Sequence, residues 1–210
     1  FQYSQFNGEF NCPNLQTVGN RAFQSSVFDG EFECQNLQTV DYQAFYDSQF
    51  NGAFECPNLQ AVGNYAFYNS QFNDVFDCPN LQTVGNSAFE RSKFAGVFDC
   101  PNLQAVGNYA FFKSVFDGVF NCPNLQTVGD GAFRNSVFFD VFDCPNLTSV
   151  GDNAFGNSNF NKITIGANAV LGINCIGAHS TEFIADYSAN GKQAGTYVWD
   201  EVSGHWIYQT

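Results

Sequence analysis

The chain has 210 residues, a net charge of −13 at pH 7, eight cysteines, no methionine and an aromatic content of 18%. A charge of that sign argues against nucleic acid and against direct docking on anionic lipid, because both need a basic surface. Nothing in the chain reads as a signal peptide or an inserted membrane span.

Read from the start, the chain falls into units. Cys12, Cys34, Cys56, Cys78, Cys100, Cys122 and Cys144 recur every 22 residues without an insertion, which marks a tandem array. A unit this short cannot bury its apolar side alone, so neighbouring units must stack into a solenoid with a shared core. Phe1 falls at the Ala-Phe position in mid-unit, and a native beginning upstream of it is therefore expected. Arg21 is the only basic residue before position 90, whereas Arg91, Lys93, Lys113, Arg134, Lys162 and Lys192 all follow.

Within each unit, a segment such as VFDGVFNC (115–122) alternates apolar and variable residues with period two. That pattern predicts one strand per coil with Phe and Cys facing the core, and a parallel sheet running along the solenoid. The following PNLQTVGN-type segment carries turn residues, and its Asn or Asp is placed to cap a single helical or 3₁₀ turn on the far, convex side. Phe6, Phe28, Phe50, Phe72, Phe94, Phe116, Phe138 and Phe160 form a file that should interlock as a spine.

The array resembles leucine-rich repeats of the BspA-like, or Treponema-type, class. The best local match is SNFNKITIGANAV (158–170), where Ile163, Ile165 and Val170 follow the family spacing. Elsewhere Phe116 and Phe120 and their equivalents replace the strand leucines, cysteine replaces the second strand isoleucine, and Ser114 and its equivalents stand where the family has cysteine. The resemblance implies an α/β repeat solenoid with the array over 1–165 and a capping segment over 166–210. Within that segment, 196–199 and 205–208 read as a β-hairpin around Asp-Glu-Val-Ser-Gly.

The cysteine file is expected to be reduced. In-register parallel strands hold equivalent Cβ atoms about 4.8 Å apart with parallel vectors, whereas a disulfide needs about 3.8 Å and converging ones. A linear file of thiols does not converge on a tetrahedron, and no C-x-x-C pair occurs, so no metal is expected. Asn14, Asn36, Asn58, Asn80, Asn102, Asn124 and Asn146 form a second file, resembling the asparagine ladder of leucine-rich repeats, and are expected to satisfy buried backbone groups inside a turn. Asn146-Leu147-Thr148 also matches a glycosylation sequon, which the repeat itself explains.

Catalysis finds little support. His179 and His205 are the only histidines, both lie in the capping segment, and neither belongs to a nucleophile or metal motif. No cofactor is expected. Function should then lie on outward files of the strands. One is acidic, Glu33, Glu55, Asp77, Asp99 and Asp143, with Asn11 and Asn121 as its other members, and solubility alone could account for it. Another changes from Glu9 and Glu31 through Ala53 to Val75, Val97, Val119 and Val141; with Phe139, Val115 and Val137 it predicts an exposed apolar patch. Strand propensity would also favour valine there. Tyr46, Tyr65, Tyr68, Tyr109 and Phe112 form a third candidate on the convex side.

The expectation is a non-enzymatic solenoid that binds a protein partner. The resemblance adds a bacterial envelope or surface setting and adhesion to host or neighbouring macromolecules. Capture of a small hydrophobic ligand, or a spacer role without a partner, are the alternatives.

Overall fold

A computed structural model describes residues 1–138, 142–158 and 161–209. The 22-residue coils stack as a parallel β-solenoid, but each contributes three two-residue strands where the alternation predicted one. In the coil around Cys122 these are Val115–Phe116, Phe120–Asn121 and Thr127–Val128. Equivalent strands join into parallel sheets of seven, six and eight members, in register one unit apart, as in Phe94 with Phe116 and Val106 with Val128.

Two local causes account for the extra strands. The predicted single strand bends at its Asp-Gly step, where a Cβ on Gly118 would lie 2.4 Å from the carbonyl oxygen of Gly96. Five coils put glycine there (Gly8, Gly30, Gly52, Gly96 and Gly118), and Asp74 takes the place in another. Beyond the cysteine, the T-V pair read as turn is instead extended, because its valine (Val62, Val84, Val106, Val128) is buried in every coil and β-branched residues suit a half-buried pleat.

On the far side the expected helical or 3₁₀ turn does not form. Tyr65 and Asn69 of one coil, and their equivalents in others, hold φ near +57°, which no right-handed turn accommodates. The N–H groups there alternate in direction: Tyr68 bonds within its coil to Tyr65 at 3.2 Å, and Phe67 bonds across to Ala88 at 2.7 Å.

The core is built from columns of aromatic rings. The predicted file, Phe6 through Phe138, stacks with centroids 4.8–5.0 Å apart, the spacing of the strands that carry it. Two further columns run beside it, Phe10 through Phe142 and Phe23 through Phe155, and rings of different columns meet edge-on, as Phe28 with Phe32 at 5.1 Å and 88°. Phe160 lies outside the described residues. The cysteines from Cys34 to Cys144, and Cys175, are buried free thiols, while Cys12 in the first coil is partly exposed.

The last coil uses Lys162–Ile165 and Val170–Leu171. The chain then leaves the solenoid through a 3₁₀ turn, Gly177–His179, and a helix, α1, Ser180–Ala189. The expected hairpin follows as Gly195–Asp200 and His205–Gln209, adding antiparallel to Lys162–Ile165. Phe183 and Tyr187 of α1, with Tyr197 and Trp206 of the hairpin, are buried in the core at this end of the array.

Candidate functional site

Strand alternation turns the residues flanking each core phenylalanine outward, so the first two sheets present continuous files on one side of the solenoid. In the second sheet Glu33 pairs with Glu55, Glu55 with Asp77, Asp77 with Asp99, and Asp99 with Asn121. Asp143 pairs instead with Thr164 of the last coil. Among the described residues none of these five carboxylates has an ion-pair partner. Burial, then the charges of Glu31, Asp77 and Glu33, pushes the Glu55 carboxyl up; burial, then Asp99, does the same to Asp77. Asn121 relieves the row by donating to Asp99 at 2.7 Å.

The first sheet and the bend beside it change character along the axis. In the early coils Asp29, Asn51 and Asn73 form an amide ladder, Asn51 donating to Asp29 at 2.9 Å and Asn73 to Asn51 at 2.7 Å, and Gln49 also donates to Asn51. The polar groups there largely satisfy one another. In later coils the outward positions are Val75 (half-buried), Val97 (37% exposed) and Val119 (45%) in one file, and Val115 (half-buried) and Val137 (37%) in another. Lys93, in register with Val115 in the second file, pairs at 3.3 Å with Asp117, which lies between the two files in its coil, so among the described residues a lysine-bound carboxylate separates the two apolar strips. Val141 and Phe139, expected to join them, lie outside the described residues.

The asparagine file forms a ladder, but in solvent. Asn36 donates to the carbonyl of Pro13 at 2.7 Å and Asn102 to that of Pro79 at 2.9 Å, and these side chains are exposed. The buried polar ladder, which the sequence reading did not find, is serine. Ser48, Ser70, Ser92, Ser114, Ser136 and Ser158 each donate through Oγ to a phenylalanine carbonyl 25 residues earlier at 2.6–2.8 Å. Its only signal was an invariant serine after an aromatic turn.

On the turn side Tyr46 stacks on Tyr68 at 4.9 Å, Tyr65 meets Tyr68 at 6.1 Å, and Tyr109 meets Phe112 edge-on at 5.9 Å. Both histidines serve the cap: His179 stacks on Trp199 at 3.7 Å, and His205 Nδ1 lies 3.0 Å from Asp186. No group of His, Cys, Asp and Glu among the described residues could hold a metal ion. A cavity of about 370 Å³ opens where cap and solenoid meet, lined by Ser158, Asn161, Ile176, His179, Trp199 and Glu201 among others; the valines do not line it.

The profile of a family described as a BspA type leucine rich repeat region matches six copies over residues 1–116 and 118–175. Among curated proteins no relative matches. Of the solved structures, a leucine-rich repeat protein from Bacteroides ovatus is similar at 14% identity with a TM-score of 0.35, covering 79% of this chain. The chain spans 63% of that protein's length.

Proposed function

The chain belongs to the BspA-type leucine-rich repeat family, and from that premise we propose that it is a non-enzymatic binding protein that engages a protein partner through the outward face of its first two sheets. The observation that supports this is the change along that face, from self-satisfied amides in the early coils to exposed Val97, Val119 and Val137 beside an acidic row in the later ones. Apolar strips rimmed by unpaired charge are the composition of a protein interface, and the valines stand in the short strands or immediately before them, not at a cavity mouth. The setting we propose, from the family, is the bacterial envelope or surface, with adhesion to host or neighbouring macromolecules as the role. No helix among the described residues is long and apolar enough to cross a membrane.

The test is a pair of double variants, Val97→Lys with Val119→Lys and Glu55→Lys with Asp77→Lys, assayed for adhesion of the chain to immobilised extracellular-matrix protein. The valine pair should lose adhesion while keeping its melting temperature, because a lysine in an apolar contact is desolvated without a partner. The acidic pair should lose it only at low salt. Adhesion unchanged in both variants would remove this face from the function. The alternative, capture of a small hydrophobic ligand, predicts that an apolar fluorescent probe is displaced by lipid extract and not by protein.

A further inference from the structure

The last strand of the eight-stranded sheet, Val170–Leu171, has a neighbour on one side only, the strand Ser149–Val150. Val170 and Gly172 donate back to Thr148 and Val150 at 2.8 and 2.7 Å. Alternation therefore turns the N–H and C=O of Leu171 away from the sheet, toward the place that a following coil would occupy. The cap covers only the start of that edge: the Lys192 carbonyl accepts the Asn168 N–H at 2.9 Å, and the Tyr187 hydroxyl accepts the Ala169 N–H at 3.0 Å and donates to Gly166 at 2.6 Å, which leaves Ala169 buried and Leu171 half-buried.

An open edge in a solenoid is ordinarily protected by polar or charged residues, and here the reverse holds. The position of Val170 is Thr, Ala or Ser in every earlier coil, from Thr17 to Ser149. The position of Ile173 carries Asn64, Asn86, Asn108, Asp130 and Asp152 in the five coils before it, whose side-chain oxygens accept the next coil's N–H; Ile173 donates its own N–H to Asp152 and has no side-chain oxygen to accept the next. Val170 is 70% exposed and Ile173 69%. Beside them a cavity of about 240 Å³ runs between the edge and α1, lined by Leu171, Ile184, Tyr187, Ser188 and Lys192 among others. Lys192 is the one charged residue in that lining and has no carboxylate within ion-pair distance among the described residues.

We propose that this edge is a second binding site, separate from the face described above, which takes an extended peptide segment of a partner protein as an added strand of the sheet. Main-chain bonds to the N–H and C=O of Leu171 would hold the peptide, one apolar side chain would enter the cavity, and a peptide carboxylate would meet Lys192. The mode is strand addition at an open edge, in which backbone bonds supply affinity and the pocket supplies selectivity. The repeat itself defines the natural probe, since earlier strands of this sheet accept the corresponding segment of the next coil, which is Leu-Gln-Thr-Val-Gly at 81–85 and 125–129.

The experiment titrates the 210-residue chain into a fluorescein-labelled synthetic peptide, PNLQTVGD, and reads anisotropy. Saturable binding is expected. It should weaken about tenfold or more when the peptide is N-methylated at its Gly amide, which removes the bond to the Leu171 carbonyl and leaves the protein untouched. It should also fall in Val170→Asp with Ile173→Asp, whose melting temperature should hold because both side chains are in water, and in Lys192→Glu. Equal affinity for the methylated peptide, or no saturation up to about 1 mM, would overturn the proposal. So would a concentration-dependent dimer, seen by sedimentation and abolished by the Val170 and Ile173 changes, because a second copy would then occupy the edge.

Discussion

The Oγ of Ser70 donates to the carbonyl of Phe45, 25 residues earlier, at 2.7 Å, and both residues are fully buried. The same oxygen accepts the N–H of Ser48 at 3.2 Å, so one hydroxyl satisfies two backbone groups that water cannot reach. Ser70→Ala should therefore cost about 1–3 kcal/mol, the penalty of stranding buried polar groups. Asn102→Ala, which breaks a ladder bond in solvent, should cost under about 1 kcal/mol. Urea unfolding of the two variants checks the ranking; equal costs would mean that the serine ladder does not support the coil.

Phe116 stacks between Phe94 and Phe138 at 5.0 and 4.9 Å, whereas its neighbour Asp117 is exposed and pairs with Lys93. Phe116→Ala should cost roughly 3–5 kcal/mol. Asp117→Ala should cost under about 1 kcal/mol, since exposed ion pairs contribute little. Thermal and denaturant melts read both, and similar values would reverse the assignment of strand faces.

Burial pushes the thiols of Cys34 and Cys175 up to about 12, and those of Cys56, Cys78, Cys100, Cys122 and Cys144 well above their ordinary 9.0. In the unfolded chain they ionise near 9.0. A raised native value means that the folded state holds more protons above that pH, so stability is whole below about pH 9 and falls as pH rises from there. The loss is about 1.4 kcal/mol per pH unit for each fully buried thiol. Unfolding should become steeply pH-dependent above pH 9, and Cys78→Ala should reduce the slope even though it costs stability at pH 7. A thiol reagent should find little reactivity in the native protein beyond Cys12, and about eight thiols after unfolding without reductant.

The carboxyls of Glu55 and Asp77 are also raised, by burial and then by the neighbouring acids. Their contribution is present below the unfolded values, 4.5 and 3.8, and is lost as pH rises through the folded ones. Lowering the pH toward those unfolded values should therefore stabilise the protein as far as this row is concerned, and Glu55→Gln with Asp77→Asn should raise the melting temperature at pH 7 and flatten its pH dependence on the acid side. A melting series in pH reads this; the same acid-side slope in wild type and double variant would overturn it.

What the sequence by itself determined follows from its period. A 22-residue register repeated without insertion fixes parallel stacking, puts Phe116 and Cys122 inside and Asp117 and Val119 outside, and sets thiols side by side at a spacing unsuited to disulfides. Each of these follows from strand alternation and the distance between strands, which are local and independent of how the coil closes. Tertiary structure decided the rest. Whether Thr127–Val128 is turn or strand depended on the neighbouring coil burying Val128, and the bend at Gly118 arose from contact with the backbone of Gly96. Serine rather than asparagine became the buried ladder because the aromatic turn folds inward over the core, a direction that no periodicity encodes. The helix Ser180–Ala189 was passed over because it occurs once, while its Phe183 and Tyr187 make sense only against the end of the phenylalanine columns. The division of the valines by Lys93 and Asp117, and the open edge at Val170–Leu171, depend on which residues meet across coils, and only the stacked molecule brings those together.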